Sequence, residues 1–205
     1  MQISYRMIDT RNKADRKYAI KDPSHITTLI KKGFYIPESY VPENLVEVNI
    51  PNTPDNTNNQ MRKDAANALE NMYKDAQKQG LHLVINSAYR SYEEQKKIYD
   101  EYFRIYDSVT ASKLVAIPGC SEHQLGLAVD IVSTKNQRLD RSQENTVEQQ
   151  WLIQNSWKYG FVLRYPTNKN SITGVGYEPW HYRYVGKEHA KKINELGVCL
   201  EEYVK

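Results

Sequence analysis

Apolar residues follow a helical repeat between Met61 and Gly80. The repeat places Ala65, Ala68, Leu69, Met72, Tyr73 and Ala76 three or four positions apart, and Gly80 is a natural end for the helix. A second helix is predicted over 92–106, because Ser91 and Glu94 form a capping-box pattern at its start. A third, short helix is predicted over 108–116 and ends at the Pro118-Gly119 pair.

Strand-like patterns alternate with further helices in the rest of the chain. The predicted strands are LHLVINSAY (81–89), LGLAVDIV (125–132), FVLRY (161–165) and HYRYV (181–185). Two more helices are predicted, one that opens at Thr146 and ends near Gly160, and one over 187–197. Helices first and strands clustered later predict an α+β single domain, with a small antiparallel sheet that carries the site and helices packed around it.

Residues 1–60 lack a clear period and hold most of the Pro and Asn. The stretches YIPESYVPENLVEV and IPNTPDNTNN are rich in turn formers. We expect this part of the chain to be an extended arm that wraps on the body.

Composition narrows the class of protein. The 205 residues are 40% apolar and 26% charged, which is typical of a globular domain. The net charge of +3 comes without a dense Lys/Arg run, so no nucleic-acid partner is expected. No run of about 18 apolar residues occurs, so no membrane-spanning segment is expected, and no signal peptide is visible at the start. Two cysteines are too few for a disulfide framework.

Asp130 is the first residue that suggests chemistry. It lies in mid-strand between aliphatic neighbours, and a carboxylate is costly to bury unless it meets a cation, a metal or several donors. A structural aspartate that binds backbone N–H groups or an arginine is the plain alternative. His123, seven residues earlier, also has a structural alternative when taken alone.

A second cluster, YEPWHYRYV, supplies Glu178 and His181. Two histidines, an aspartate and a nearby glutamate are the parts of a catalytic zinc site, in which three protein ligands leave a position for water. The glutamate can then take a proton from that water and deliver it to a leaving amine. Each histidine is expected to bind a carboxylate or a carbonyl through its second ring nitrogen.

These residues resemble a known family. SEHQLGLAVD (S-x-H-x-x-G-x-A-x-D) and EPWH (E-x-W-H) resemble the paired signature of VanY-type D-alanyl-D-alanine carboxypeptidases, which belong to the LAS metallopeptidases of bacterial peptidoglycan. SAYRSYEEQ, WKYGFVLRYP and ITGVGYEPWHYRYVG are also similar to that family. The resemblance covers roughly residues 40–200, so we expect an arm without a motif at 1–39 and a zinc carboxypeptidase-like catalytic domain at 40–205.

The resemblance implies a role for each site residue. It implies His123, Asp130 and His181 as zinc ligands and Glu178 as the catalytic base. Arg90 would bind substrate and stabilise the oxyanion. The resemblance further implies substrate contacts at Ser121 and Gln95, and cleft walls at Trp180 and Tyr184, for which sheet packing is an equal alternative. Glu122 is expected to be solvated or to support the ligands.

Other functions remain open from the sequence. Cys120 beside His123 permits a cysteine nucleophile or a fourth zinc ligand, although no third residue that would orient a catalytic pair stands out. A non-catalytic module that binds cell wall would keep the cleft and lose the catalytic groups. Within the enzyme class, D,D-carboxypeptidase is favoured over L,D-carboxypeptidase and D,D-dipeptidase.

The expected partner is a peptidoglycan stem peptide or precursor that ends in a D-amino acid. We expect a monomer that acts in the extracytoplasmic cell envelope, with any anchor or signal outside this sequence. A cytoplasmic enzyme that acts on precursors is the alternative.

Overall fold

The computed structural model describes residues 16–56 and 58–204. The strands are β1 (Arg16–Ala19), β2 (Gly33–Tyr35), β3 (Leu45–Glu47), β4 (Gln60–Arg62), β5 (Leu83–Ser87), β6 (Ala128–Ser133), β7 (Phe161–Leu163) and β8 (His181–Tyr184). The helices are α1 (Lys63–Gln77), α2 (Tyr92–Ile105), α3 (Ser108–Leu114), α4 (Val147–Asn155), α5 (Asn170–Thr173), α6 (Lys187–Leu196) and α7 (Leu200–Tyr203).

The centre of the molecule is a four-stranded sheet with the order β5-β6-β8-β7. All of its neighbouring strands are antiparallel. Every residue of β6 is buried, so both faces of this strand are covered. The α+β prediction, with a small antiparallel sheet among helices, is confirmed.

Helix α1 covers one side of the sheet through its apolar face. Ala65, Leu69, Met72 and Ala76 are fully buried and belong to the main core, together with Leu83, Ile85 and Val129 of the sheet. Their spacing of three or four residues places them on one side of the helix, as the sequence pattern predicted. The capping box predicted at Ser91 and Glu94 is also present at the start of α2.

The segment before α1 wraps on this body as expected, but it also forms short strands. β1 pairs with β2 in parallel, and β3 pairs with β4 in antiparallel fashion. Ile30, Ile36, Val48 and Ile50 from this segment are buried in the core. Strands of three or four residues are too short to produce a readable alternation, which is why the sequence did not indicate them. The part of the predicted arm over 1–15 lies outside the described residues.

The strand predicted over 125–132 begins later than expected. Residues Glu122–Leu125 form a 3-10 turn instead, which Gly126 ends with a left-handed backbone (φ 66°). A side chain at Gly126 would meet Leu45 at 2.9 Å, so glycine serves both the backbone angle and the space. Among the described residues, no helix combines the length and apolar character needed to cross a membrane.

Candidate metal centre and active site

Three residues predicted as metal ligands meet at the centre of the sheet. Asp130 on β6 pairs directly with His181 on β8, so the strand register alone brings these two side chains together. His123 comes from the 3-10 turn that precedes β6. All three residues are buried, and each offers a ligand atom within 4.8 Å of the others.

Each histidine directs one ring nitrogen at Asp130 and has the other held by the protein. His123 Nε2 lies 3.4 Å from Asp130 Oδ2, while its Nδ1 lies 2.6 Å from the carbonyl oxygen of Ala88. His181 Nδ1 lies 2.9 Å from Asp130 Oδ1, while its Nε2 lies 3.3 Å from Glu122 Oε2. A carbonyl and a carboxylate thus hold the second nitrogens, as is usual for histidines that bind metals.

The charges of this cluster suit a cation. Burial would raise the pKa of Asp130, but His123 and His181 outweigh it and hold that pKa well below its usual range. Burial would lower the pKa of His181, but Asp130 and Glu122 outweigh it and raise the pKa to about 10. Nδ1 of His181, the ring nitrogen that faces Asp130, can release its proton and bind a metal ion in its place. Two imidazoles and one carboxylate are a donor set that Zn²⁺ prefers.

Glu178 lies beside the cluster on the loop that leads into β8. Its backbone N–H donates to the carbonyl of Tyr165 at 3.1 Å, and its own carbonyl accepts from the N–H of His181 at 3.2 Å. Burial raises the pKa of the half-buried carboxyl group, and Asp130 and Glu122 raise it further against the effect of His181, to about 7. A carboxyl group with this pKa can both accept and release a proton near neutral pH.

Arg90 approaches the cluster from the end of β5. Its backbone N–H donates to the carbonyl of His123 at 3.2 Å. Its guanidinium donates to the side-chain oxygens of Gln95 at 2.8 Å and Ser87 at 2.7 Å. Both acceptors are neutral, and no carboxylate among the described residues forms an ion pair with Arg90. The arginine is therefore held in place while its charge is left for an anion.

The remaining predicted residues differ in how they relate to the cluster. Gln95 is buried and uses its whole amide internally, since its Nε2 also donates to the carbonyl of Ala116 at 2.7 Å. The hydroxyl of Ser121 makes no hydrogen bond with the residues that the structure describes. The carbonyl of Trp180 accepts from the N–H of Ile131 at 2.9 Å. Tyr184 packs edge-to-face on Phe161, with ring centroids 5.2 Å apart, which is the sheet-packing alternative.

Of the two roles expected for Glu122, support of the metal ligands fits the structure and solvation does not. Glu122 is 2% exposed, so the solvated alternative is wrong. Its Oε1 accepts from Arg164 Nε at 2.7 Å and from Arg183 Nη1 at 2.9 Å. Burial would raise its pKa, but these two guanidinium groups outweigh it and hold the pKa well below its usual range. One signal was present in the sequence: Arg183 shares the face of β8 with His181, and a buried arginine needs a carboxylate.

Comparisons with known proteins agree with this site. A buried His/Asp/His set with a nearby glutamate on a small antiparallel sheet defines a metallopeptidase type of centre. The family model described as VanY: D-alanyl-D-alanine carboxypeptidase matches residues 58–187. This chain therefore belongs to the VanY family of D-alanyl-D-alanine carboxypeptidases.

Two curated relatives resemble most of the chain. YodJ of Bacillus subtilis (strain 168), which is named as a carboxypeptidase, is 42% identical over 93% of this chain and 71% of its own length. A D-alanyl-D-alanine carboxypeptidase of Enterococcus faecalis is 45% identical over 66% of this chain. The match spans only about half of that relative's length, 52%.

Solved structures resemble the chain over nearly its whole length. The LD-carboxypeptidase LdcB is 41% identical with a TM-score of 0.86, and the match covers 92% of this chain and 89% of that one. A vancomycin-resistance D,D-pentapeptidase VanY in complex with Zn(II) is 36% identical with a TM-score of 0.72, over 90% and 100% of the two chains. VanYB in complex with D-alanine-D-alanine is 38% identical with a TM-score of 0.72, over 87% and 97%.

Proposed function

We propose that this protein is a zinc-dependent carboxypeptidase that removes the C-terminal D-alanine from peptidoglycan stem peptides or their precursors. The observation that carries the proposal is a single constellation: the His123, Asp130 and His181 donors, with Glu178 and Arg90 on the same cluster. Membership in the VanY family supports the substrate class. Because all five groups are present, a non-catalytic wall-binding module is disfavoured.

His123, Asp130 and His181 would hold the zinc ion, and the protein groups around them have separate tasks. Zinc supplies Lewis acidity, which polarises a carbonyl and lowers the pKa of water toward about 7. Glu178 takes the proton from the attacking water and later passes it to the departing D-alanine amine. Arg90 stabilises the negative charge that develops on the carbonyl oxygen, since no carboxylate among the described residues forms an ion pair with it.

Substrate positioning would involve fewer direct contacts than the family signature alone implies. The hydroxyl of Ser121, which makes no hydrogen bond within the described part of the chain, is available to bind the peptide or its terminal carboxylate. Gln95 acts through Arg90, because both ends of its amide are already occupied. Trp180 remains a proposed wall of the cleft, whereas Tyr184 packs within the sheet.

An L,D-carboxypeptidase that acts on tetrapeptide stems is the second candidate. One observation favours it, namely the TM-score of 0.86 and 41% identity to LdcB, against 0.72 for the VanY structures. The D,D activity remains the main proposal because the family model that matches the chain is that of D-alanyl-D-alanine carboxypeptidases.

Release of D-alanine from two synthetic stems separates the candidates. The zinc-loaded protein is incubated with a pentapeptide that ends in D-Ala-D-Ala and with a tetrapeptide that ends in a single D-Ala. We expect faster release from the pentapeptide. Faster release from the tetrapeptide would establish the L,D activity instead, and no release from either stem, nor from the dipeptide D-Ala-D-Ala, would contradict the carboxypeptidase proposal.

The proposal also covers the location, the substrate, the oligomeric state and the domain organisation of the protein. The resemblance to LdcB, an LD-carboxypeptidase that recognises peptidoglycan, favours action in the extracytoplasmic envelope, and the resemblance to VanYB in complex with D-alanine-D-alanine favours stem peptides that end in a D-amino acid. We further propose a monomer, with the catalytic domain over 40–205 and an arm over 1–39. Ile30 and Ile36 of that arm lie in the core, so the arm is expected to be required for folding.

A further inference from the structure

Glu122 lies at the centre of a buried ionic network that extends well beyond the metal ligands. Besides its two bonds to Arg164 and Arg183, it leaves only Oε2 for His181 Nε2, 3.3 Å away. Both guanidinium groups bind its other oxygen, so the carboxylate cannot turn without losing them. Its orientation toward His181 is therefore fixed.

The two arginines are in turn fixed from opposite ends of the chain. Arg164 makes a bidentate pair with Glu201 of α7, with N–O distances of 2.9 and 2.7 Å. Arg183 Nη2 donates to the carbonyls of Ile26 and Thr28, both at 2.9 Å. These partners lie outside residues 58–187, the part of the chain that matches the family model. The network is neutral within itself, since it contains two carboxylates and two guanidinium groups.

We propose that Glu122 is a positioning residue that keeps the proton of His181 on Nε2 and so presents Nδ1 as the metal donor, and that α7 and the segment around residues 26–28 hold it in place. This inference rests on the proposed zinc site. A carboxylate can only accept a hydrogen bond, so the ring nitrogen that faces it must carry a proton. The other nitrogen, Nδ1, faces Asp130, which is itself a proposed ligand, so the proton on Nδ1 is the one that a metal ion shared with Asp130 would replace.

The substitution Glu122→Gln changes this arrangement with little change of shape. The amide oxygen must face the two guanidinium groups, which are donors only, so the NH₂ group faces His181 Nε2. That contact favours a lone pair on Nε2 and a proton on Nδ1, the nitrogen that should bind the metal. Groups that orient a metal ligand typically change metal affinity by about 10–100-fold when they are replaced.

Zinc affinity, measured without substrate by competition with a chromophoric chelator, tests the inference. We expect Glu122→Gln to weaken zinc binding by about 10–100-fold and Glu201→Gln to weaken it less, in the same direction. Glu202→Gln is the matched control on the same helix, because Glu202 pairs with Lys169 at 2.8 Å and not with Arg164. The control should bind zinc as the unmodified protein does. An affinity for Glu122→Gln within about twofold of the unmodified protein would overturn the inference, since an orienting group changes it by about tenfold or more.

A second measurement keeps the inference testable if Glu122→Gln does not fold. Nitrogen-15 NMR of the zinc-loaded, unmodified protein reports which ring nitrogen of His181 carries the proton. A proton on Nε2 is expected, and a proton on Nδ1 would overturn the inference. Neither readout uses turnover, so a protein that binds zinc this way but releases no D-alanine would refute only the proposed function.

Discussion

The two histidines of the candidate metal centre have the same geometric task but very different supports. His123 is held by a neutral backbone carbonyl, that of Ala88, at 2.6 Å. His181 is held by Glu122, a carboxylate that is paired with two buried arginines. The first support follows from the local path of the chain after β5. The second depends on residues from both ends of the sequence.

The difference in support appears in the electrostatics. Burial lowers the pKa of His123, and Asp130 offsets this only in part. The pKa of His181 is instead raised to about 10, because Asp130 and Glu122 outweigh its burial. One imidazole is therefore neutral and ready as a ligand at neutral pH, whereas the other must exchange a proton for the metal.

The largest expected effect comes from removing the residue that both histidines share. Asp130→Asn takes the carboxylate from between His123 Nε2 and His181 Nδ1. We expect zinc affinity to fall by more than about 100-fold, because even supporting groups cost up to that much, and D-alanine release to fall with it. Metal content after dialysis measures this. Asp140→Asn, an exposed carboxylate, is the control, and full zinc retention by Asp130→Asn would contradict the assignment.

A large loss of folding stability is expected when the ionic network that supports His181 is broken. Arg164→Met leaves Glu201 without its bidentate partner and Glu122 with one guanidinium instead of two. Breaking a buried ion pair in this way costs about 3–5 kcal/mol of unfolding free energy. Urea denaturation of the zinc-free protein measures it. Arg138→Met, at an exposed pair with Asp140, should change stability by less than about 1 kcal/mol. Equal losses of unfolding free energy in the two variants would show that the network that supports His181 stabilises the fold no more than an exposed ion pair does.

The pKa values of His181 and His123 are shifted in opposite directions. These shifts have a smaller effect on the pH dependence of folding stability, and its sign is defined. His181 binds its proton more tightly when folded, so its contribution is fully present below about pH 6.5 and is lost as the pH rises through about 10. His123 is held neutral, so its contribution is lost as the pH falls below about 6.5.

NMR titration of the zinc-free protein separates these two groups directly. The His181 ring should remain protonated at pH 8 while the His123 ring is neutral. His123→Gln and His181→Gln identify the signals by their absence. Two histidines that titrate together near pH 6.5, the ordinary value, would show that the supports do not differ electrostatically.

The smallest effect is expected at Cys120, which belongs to neither support. It is buried in a small apolar cluster with Tyr99 and Ile117, although it lies only three residues before His123. Cys120→Ala should cost about 1 kcal/mol of stability, as a modest core truncation does, and should leave the rate of D-alanine release unchanged. A chelator should inhibit the unmodified protein and a thiol alkylator should not. Loss of activity on alkylation, but not on chelation, would support the cysteine-nucleophile alternative.

The sequence predicted those features of the site that depend on residues close together in the chain, and few of those that depend on residues far apart. Helix α2 was predictable because Ser91 and Glu94 are close in the chain, and the strand that carries Asp130 was predictable from its β-branched content. The pairing of Asp130 with His181 needed the sheet register, which only a family resemblance could anticipate.

The Glu122 network was not predictable for a related reason. Its members are separated by 42 residues for the Arg164 contact and 61 for the Arg183 contact, so no periodicity connects them. Helix α7, which supplies Glu201, has only four residues and gives no amphipathic repeat. The need of Arg183 for an acidic partner was visible in the sequence. Which residue is that partner was not, because it depends on the topology of the fold.

Turnover by Glu178→Gln tests the central claim most directly. Glu178 is the proposed base, and its pKa of about 7 fits that role, whereas the amide of glutamine cannot take a proton from water. The zinc-loaded variant is compared with the unmodified protein for D-alanine release from the pentapeptide, and zinc content is measured in both. The account predicts that the variant keeps its zinc and loses turnover by at least about 100-fold, the lower range for a general base. A variant with full zinc content and a near-normal rate would contradict the account.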